Sequence, residues 1–101
     1  MKLSNNNQLY QYLISLSAEL KRMGAEELGD VIATASRMVN TFPATEFLGE
    51  SRMALQRVSR EEGGILSGND HAELLDVLGQ LDAALIDGNE VTQAGKSSFL
   101  A

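Results

Sequence analysis

No cysteine occurs anywhere in the 101 residues. That removes disulfides, thiolate nucleophiles and zinc–thiolate sites together, and it suits a reducing compartment. Tryptophan is also missing, proline and histidine occur once each, and aromatics make up 5 % of the chain. One histidine cannot supply the paired Glu-x-x-His motifs of a carboxylate-bridged di-iron bundle. No stretch approaches the roughly 20 consecutive apolar residues of a membrane span. The start, Met1-Lys2-Leu3-Ser4 and then three asparagines, lacks the apolar run of a secretory signal. Basic residues are in the minority: eight Lys and Arg stand against fourteen Asp and Glu, a net charge of −6. Such a balance repels phosphate backbones. Together these absences predict a cytoplasmic protein that binds neither membrane nor nucleic acid.

What the chain does have is helical rhythm. Leu9, Leu13, Leu16, Leu20 and Met23 fall at steps of 4, 3, 4 and 3, and Leu74, Leu78, Leu81 and Leu85 repeat the stride. That spacing places an apolar stripe along one side of an α-helix. Two similar segments lie between them. Leu28, Val31, Ile32, Ala35, Met38 and Val39 form one apolar side. Phe47, Leu48, Ser51, Ala54, Leu55 and Val58 form the other. Val and Ile are scattered and never alternate, so no strand is expected.

Punctuation sets the boundaries. Ser4 or one of Asn5, Asn6 and Asn7 offers a side-chain oxygen to the first free amides, and Gly24 supplies a left-handed stop after Lys21 and Arg22. The stretch Asn40-Thr41-Phe42-Pro43 halts the second helix. Gly63-Gly64 breaks the chain after the third, Ser67 caps the fourth, and Gly88 closes it. The prediction is an all-α, antiparallel four-helix bundle with helices at about 6–23, 25–39, 44–61 and 68–87. Residues 1–88 make one domain and 89–101 a mobile tail.

Catalytic constellations are weak. Glu27 with Asp30, and Glu73 with Asp76, are Glu-x-x-Asp pairs that could share a hard cation such as magnesium. Some all-α nucleotide pyrophosphohydrolases carry such pairs within helical bundles, so a small metal-dependent hydrolase is the rival reading. Direction argues against it. Taking about 100° per residue, Glu27 and Asp30 lie roughly 90° and 145° from their helix's apolar centre, and Glu73 and Asp76 roughly 110° and 170°. A bundle-core metal site needs ligands turned inward. His71 falls in the first turn of helix four, where a capping or surface role is ordinary. Neither a Gly-x-Ser-x-Gly elbow nor a complete phosphate-cradling loop is present. No catalytic, metal-ligating or cofactor-binding residue is therefore nominated, and no cofactor is expected.

The surface is more informative. Arg52, Gln56 and Arg60 recur one turn apart and project away from Phe47, Ala54 and Val58, with Met53 beside them. Arginine and methionine on one face are favoured at protein contacts. Tyr10 and Ile14 are i, i+4 neighbours off the main stripe of helix one. Either that helix is buried on two sides, or this pair meets a partner. The arginine stripe could also face the acidic flanks of a second copy in a homodimer. The expectation is thus a non-catalytic protein working by protein–protein contact through Tyr10, Ile14, Arg52, Met53, Gln56 and Arg60. A regulatory, antitoxin-like or immunity-like role fits that class, and a structural subunit of a larger assembly is the further alternative.

Overall fold

The structure, a computed structural model, describes residues 2–41 and 43–90, with side chains as far as Leu85. It contains the helices α1 (Asn6–Arg22), α2 (Glu26–Ser36), α3 (Ala44–Glu61) and α4 (Gly68–Glu90), and no strand among the described residues. Each helix packs on the next, α1 on α2, α2 on α3 and α3 on α4, and the result is the predicted antiparallel bundle. None of these helices is long and apolar enough to cross a membrane.

Local chemistry sets three of the helix ends. The Asn5 side chain accepts the Gln8 N–H at 2.9 Å, while the Gln8 side chain reaches back to accept the Ser4 N–H at 2.6 Å. Two otherwise orphaned amides are satisfied reciprocally, as in a capping box shifted by one residue. At the far end Gly24 adopts φ +94°. Its N–H donates to Lys21 O, and the Ala25 N–H donates to Leu20 O at 2.8 Å. This is a Schellman closure, which needs a residue free of Cβ strain. Ser67 caps α4 through the Asp70 N–H at 3.1 Å.

Two boundaries differ from the sequence reading. Helix two was expected to reach residue 39 but stops at Ser36. The Met38, Val39 and Thr41 N–H groups each donate three residues back, to Ala35, Ser36 and Met38. The ladder tightens into turns ahead of Pro43. Val39 and Met38 still pack half-buried against the core. Helix four was expected to end near Gly88 but runs to Glu90. A glycine inside a helix costs roughly 1 kcal/mol relative to alanine but does not by itself terminate it. Beyond residue 90 the expected mobile tail lies outside the described residues.

One core unites all four helices. Leu9, Leu13, Leu16 and Leu20 are buried as the stripe predicts, whereas Met23 is exposed, because the chain leaves the helix there to enter the Gly24 turn. On α4 the buried face runs through Leu74, Val77, Leu81 and Ala84, with Leu78 and Leu85 only partly covered. The inward face is therefore rotated toward Val77. The bundle closes where the Leu3 N–H donates to Gln80 Oε1 at 2.8 Å, and where Tyr12 and Leu16 of α1 border the same hollow as Asp70 and Glu73 of α4.

Candidate functional site

Tyr10 and Ile14 resolve into different roles. Tyr10 is half-buried and packs against the core, while Ile14 remains 40 % exposed. Both border an open cleft of about 680 Å³ between α1 and the end of α2, with Ala33, Ser36 and Val39 opposite. The cleft opens because α2 stops early and the turns after Ser36 draw the backbone aside. Its floor is mixed: apolar side chains alternate with Asn6, Asn7, Arg37 and Asn40.

The expected arginine stripe on α3 is only partly present. Arg52 does not project freely; its Nε is ion-paired with Asp82 of α4. The apolar faces of α3 and α4 bring the pair together at the edge of their seam. Gln56 is half-buried. Met53 (55 % exposed) and Arg60 remain at the surface. Arg57, which the sequence reading passed over, bridges two helices. It reaches Glu27 Oε2 of α2 at 3.1 Å and Glu61 Oε2 at 3.2 Å, and these hydrogen bonds push its guanidinium above the ordinary arginine value. Arg52 and Arg57 thus engage acidic side chains of their own chain, Asp82 and Glu27, on the flanks assigned to a second copy.

The carboxylate pairs separate. Glu27 faces Arg57, Asp30 pairs with Lys21 at 3.0 Å, and Asp76 accepts from Gln80 Nε2 at 3.0 Å. Among the described residues no three His, Asp or Glu side chains stand close enough to hold a metal ion. Glu73 departs from the outward orientation expected of it: it is half-buried beside Tyr12. The rotated inward face of α4 accounts for this, since Glu73 lies only roughly 40° from Val77 on the helical wheel.

A further carboxylate carries the chain break between α3 and α4. Glu62 is buried at the end of α3. Its Oε1 accepts the Gly64 N–H at 2.9 Å and the Leu66 N–H at 3.1 Å. Oε2 faces His71 Nδ1 at 3.1 Å. The backbone hydrogen bond from Leu66 is the main influence holding this carboxyl below its ordinary value of 4.5; that from Gly64 and the His71 ring act in the same sense, and burial opposes them. An ionised Glu62 can only accept, so Nδ1 carries the proton. His71 is a loop clasp on the α4 first turn, consistent with the capping or surface role expected there. Gly63 and Gly64 take φ +62° and +86°, which turns the Gly64 and Leu66 amides back onto the carboxylate. The signal was present in Glu62-Gly63-Gly64, but nothing in helical periodicity marks which acidic residue a loop will fold over.

The Glu62 clasp ties the fold to acid stability. A carboxyl lowered on folding contributes stability above its unfolded value, and that contribution is lost as pH falls through the folded value. The protein is expected to lose stability below about pH 4.5, the group's ordinary value. Glu62→Gln should flatten that part of the urea-midpoint profile. It should also cost about 2 kcal/mol at neutral pH, since the bonds to the Gly64 and Leu66 amides lose their charge assistance. An unchanged acid limb in the variant would show that other carboxyls govern it.

No protein-family model, curated protein or solved structure matches this chain.

Proposed function

We propose that this is a non-catalytic helical domain of the cytosol that acts by protein–protein contact, with the cleft between α1 and α2 as its principal contact surface. The observation that carries the reading is Ile14. It stays 40 % exposed at the rim of an open cleft beside the half-buried Tyr10. A well-packed aromatic next to a solvated aliphatic is the arrangement from which an interface anchor gains most on losing water. Met53 and Arg60 on the outer side of α3 form a second, smaller contact area of the composition favoured at interfaces. The cysteine-free chain suits the reducing cytosol.

The experiment compares baits. Immobilised full-length chain and its Ile14→Asp variant, both verified as folded by circular dichroism, are exposed to lysate of the native host. Retained proteins are then quantified. Retention of a protein by the wild type, reduced at least about tenfold by a charge placed in the cleft, is the expected outcome. Equal retention by the two baits, or none by either, overturns the reading. A second copy retained as the partner would identify the homodimer.

A further inference from the structure

The cleft between α1 and the end of α2 is bordered by one charged side chain, Arg37, and by no Asp or Glu among the described residues. Asn6, Asn7 and Asn40 supply amides, and Tyr10, Ile14 and Val39 supply apolar surface. Lys21, Arg22, Arg52 and Arg57 are each paired with an acid of this chain. Arg37 is exposed, and its guanidinium has no acidic partner among the described residues. Its place at the C-terminal end of α2 favours a positive charge through the helix dipole, but that leaves the five guanidinium donors unused. Fourteen acids stand against eight basic residues in the chain, so an unpaired cation at an acid-free cleft runs against the general charge of the molecule. Asn6 Oδ1 is a second unsatisfied group at the same place. It is enclosed and has no hydrogen-bond partner, whereas buried acceptors ordinarily have one.

We infer, on the reading of this cleft as a contact surface, that it takes an acidic segment of a partner protein in extended conformation, with a carboxylate side chain next to a large aliphatic one. The aliphatic side chain enters between Ile14 and Val39, beside Tyr10, and loses its water there. Its neighbour in an extended chain points the other way, toward the rim, where the Arg37 guanidinium donates paired N–H bonds to the carboxylate; the planar fork matches that acceptor. The Asn6 amide turns about χ2 to accept a backbone N–H from the segment. The net charge of −6 opposes an acidic partner at a distance. Salt at about 0.15 M confines that repulsion to about 8 Å, and within the cleft the only charge among the described residues is the positive one.

The test is a titration of the nitrogen-15-labelled full chain, followed by amide shifts. The probe is a short blocked peptide alternating leucine with glutamate; two controls replace each glutamate with glutamine or with lysine. Saturable shifts centred on Asn7, Ile14, Arg37 and Asn40 are expected with the glutamate peptide, and binding at least about tenfold weaker with either control. Arg37→Gln should lower affinity for the glutamate peptide at least about tenfold, while Arg60→Gln, at the surface of α3, should leave it unchanged. Thermal melts of each variant confirm that the fold is kept. Equal affinity for the glutamate and glutamine peptides, equal affinity in Arg37→Gln, or no saturable change overturns the proposal. So does self-association of the chain that Arg37→Gln abolishes, which would put a second copy in the cleft. The two readings fail separately. Retention from lysate that is lost in Ile14→Asp but kept in Arg37→Gln leaves the contact surface standing and removes its acidic partner; equal retention by wild type and Ile14→Asp removes both.

Discussion

Phe47→Ala is expected to destabilise the protein by about 3–5 kcal/mol, the range for truncating a fully buried phenylalanine. Among the described residues Phe47 is the largest completely buried side chain, with 0 % exposure. It sits in the first turn of α3, just after the Pro43 corner, and belongs to the single core that all four helices share. Among the described residues no satellite cluster stands apart from that core to absorb its loss. A domain of this size is held by about 5–15 kcal/mol in total, so the variant should lie near the threshold of folding. Its melting temperature should fall by more than about 12 °C. Phe47→Leu, which keeps most of the volume, should cost less than about 1.5 kcal/mol. Urea denaturation followed at 222 nm separates the two. A loss below about 1 kcal/mol for the alanine variant would mean that the centre of the bundle is not close-packed.

Gly29→Leu is expected to be nearly as damaging, at about 3 kcal/mol, by the opposite mechanism of overfilling. Gly29 is buried where α2 packs on α1. Its carbonyl accepts the Ser17 hydroxyl at 2.8 Å, and Lys21 and Asp30 close over the same spot at 3.0 Å. A Cβ at Gly29 would stand 2.6 Å from Lys21 Cγ and 3.0 Å from the Ser17 carbonyl oxygen. The lysine stem can swing away; the α1 backbone cannot. Gly29→Ala should therefore destabilise as well, though by less than leucine, because its Cβ already meets the Ser17 carbonyl. Its clash is partly relieved by the lysine and offset by roughly 1 kcal/mol of helix propensity. Leucine has no such escape and must push the helices apart. Equilibrium unfolding measures the loss, and hydrogen exchange of the α1 amides shows where it falls. Equal stability of the leucine and glycine forms would show that the crossing is looser than these distances state.

Which parts of this molecule were legible beforehand follows from the range of the forces involved. Asn5, Gly24, Pro43 and Ser67 act on amides within a turn of themselves, so the starts of α1, α3 and α4 and the stop of α1 could be read directly. The six residues assigned to the inward side of α3, Phe47 to Val58 with Ser51 among them, are all buried. Helix four shows the limit. Its leucines mark a stripe wide enough to be centred on Leu78 or on Val77, and packing against α3 within the common core selected the second. That rotation brought Glu73 beside Tyr12 and left Leu75 49 % exposed. Surface charges depend on the same helix rotations. Arg52 and Arg57 occupy comparable outward positions to Arg60, yet the first two find acids on neighbouring helices and the third stays at the surface.

From the order of residues alone came the helices, their caps and the apolar sides they bury, because those follow from hydrogen bonds and periodicity within one segment. Three features required the assembled fold: the Gly29 crossing, the Glu62–His71 clasp, and the groove where Tyr12 meets Asp70 and Glu73. Each joins groups from separate segments, and a side chain's partner across such a gap is fixed by how helices rotate to fill a common core.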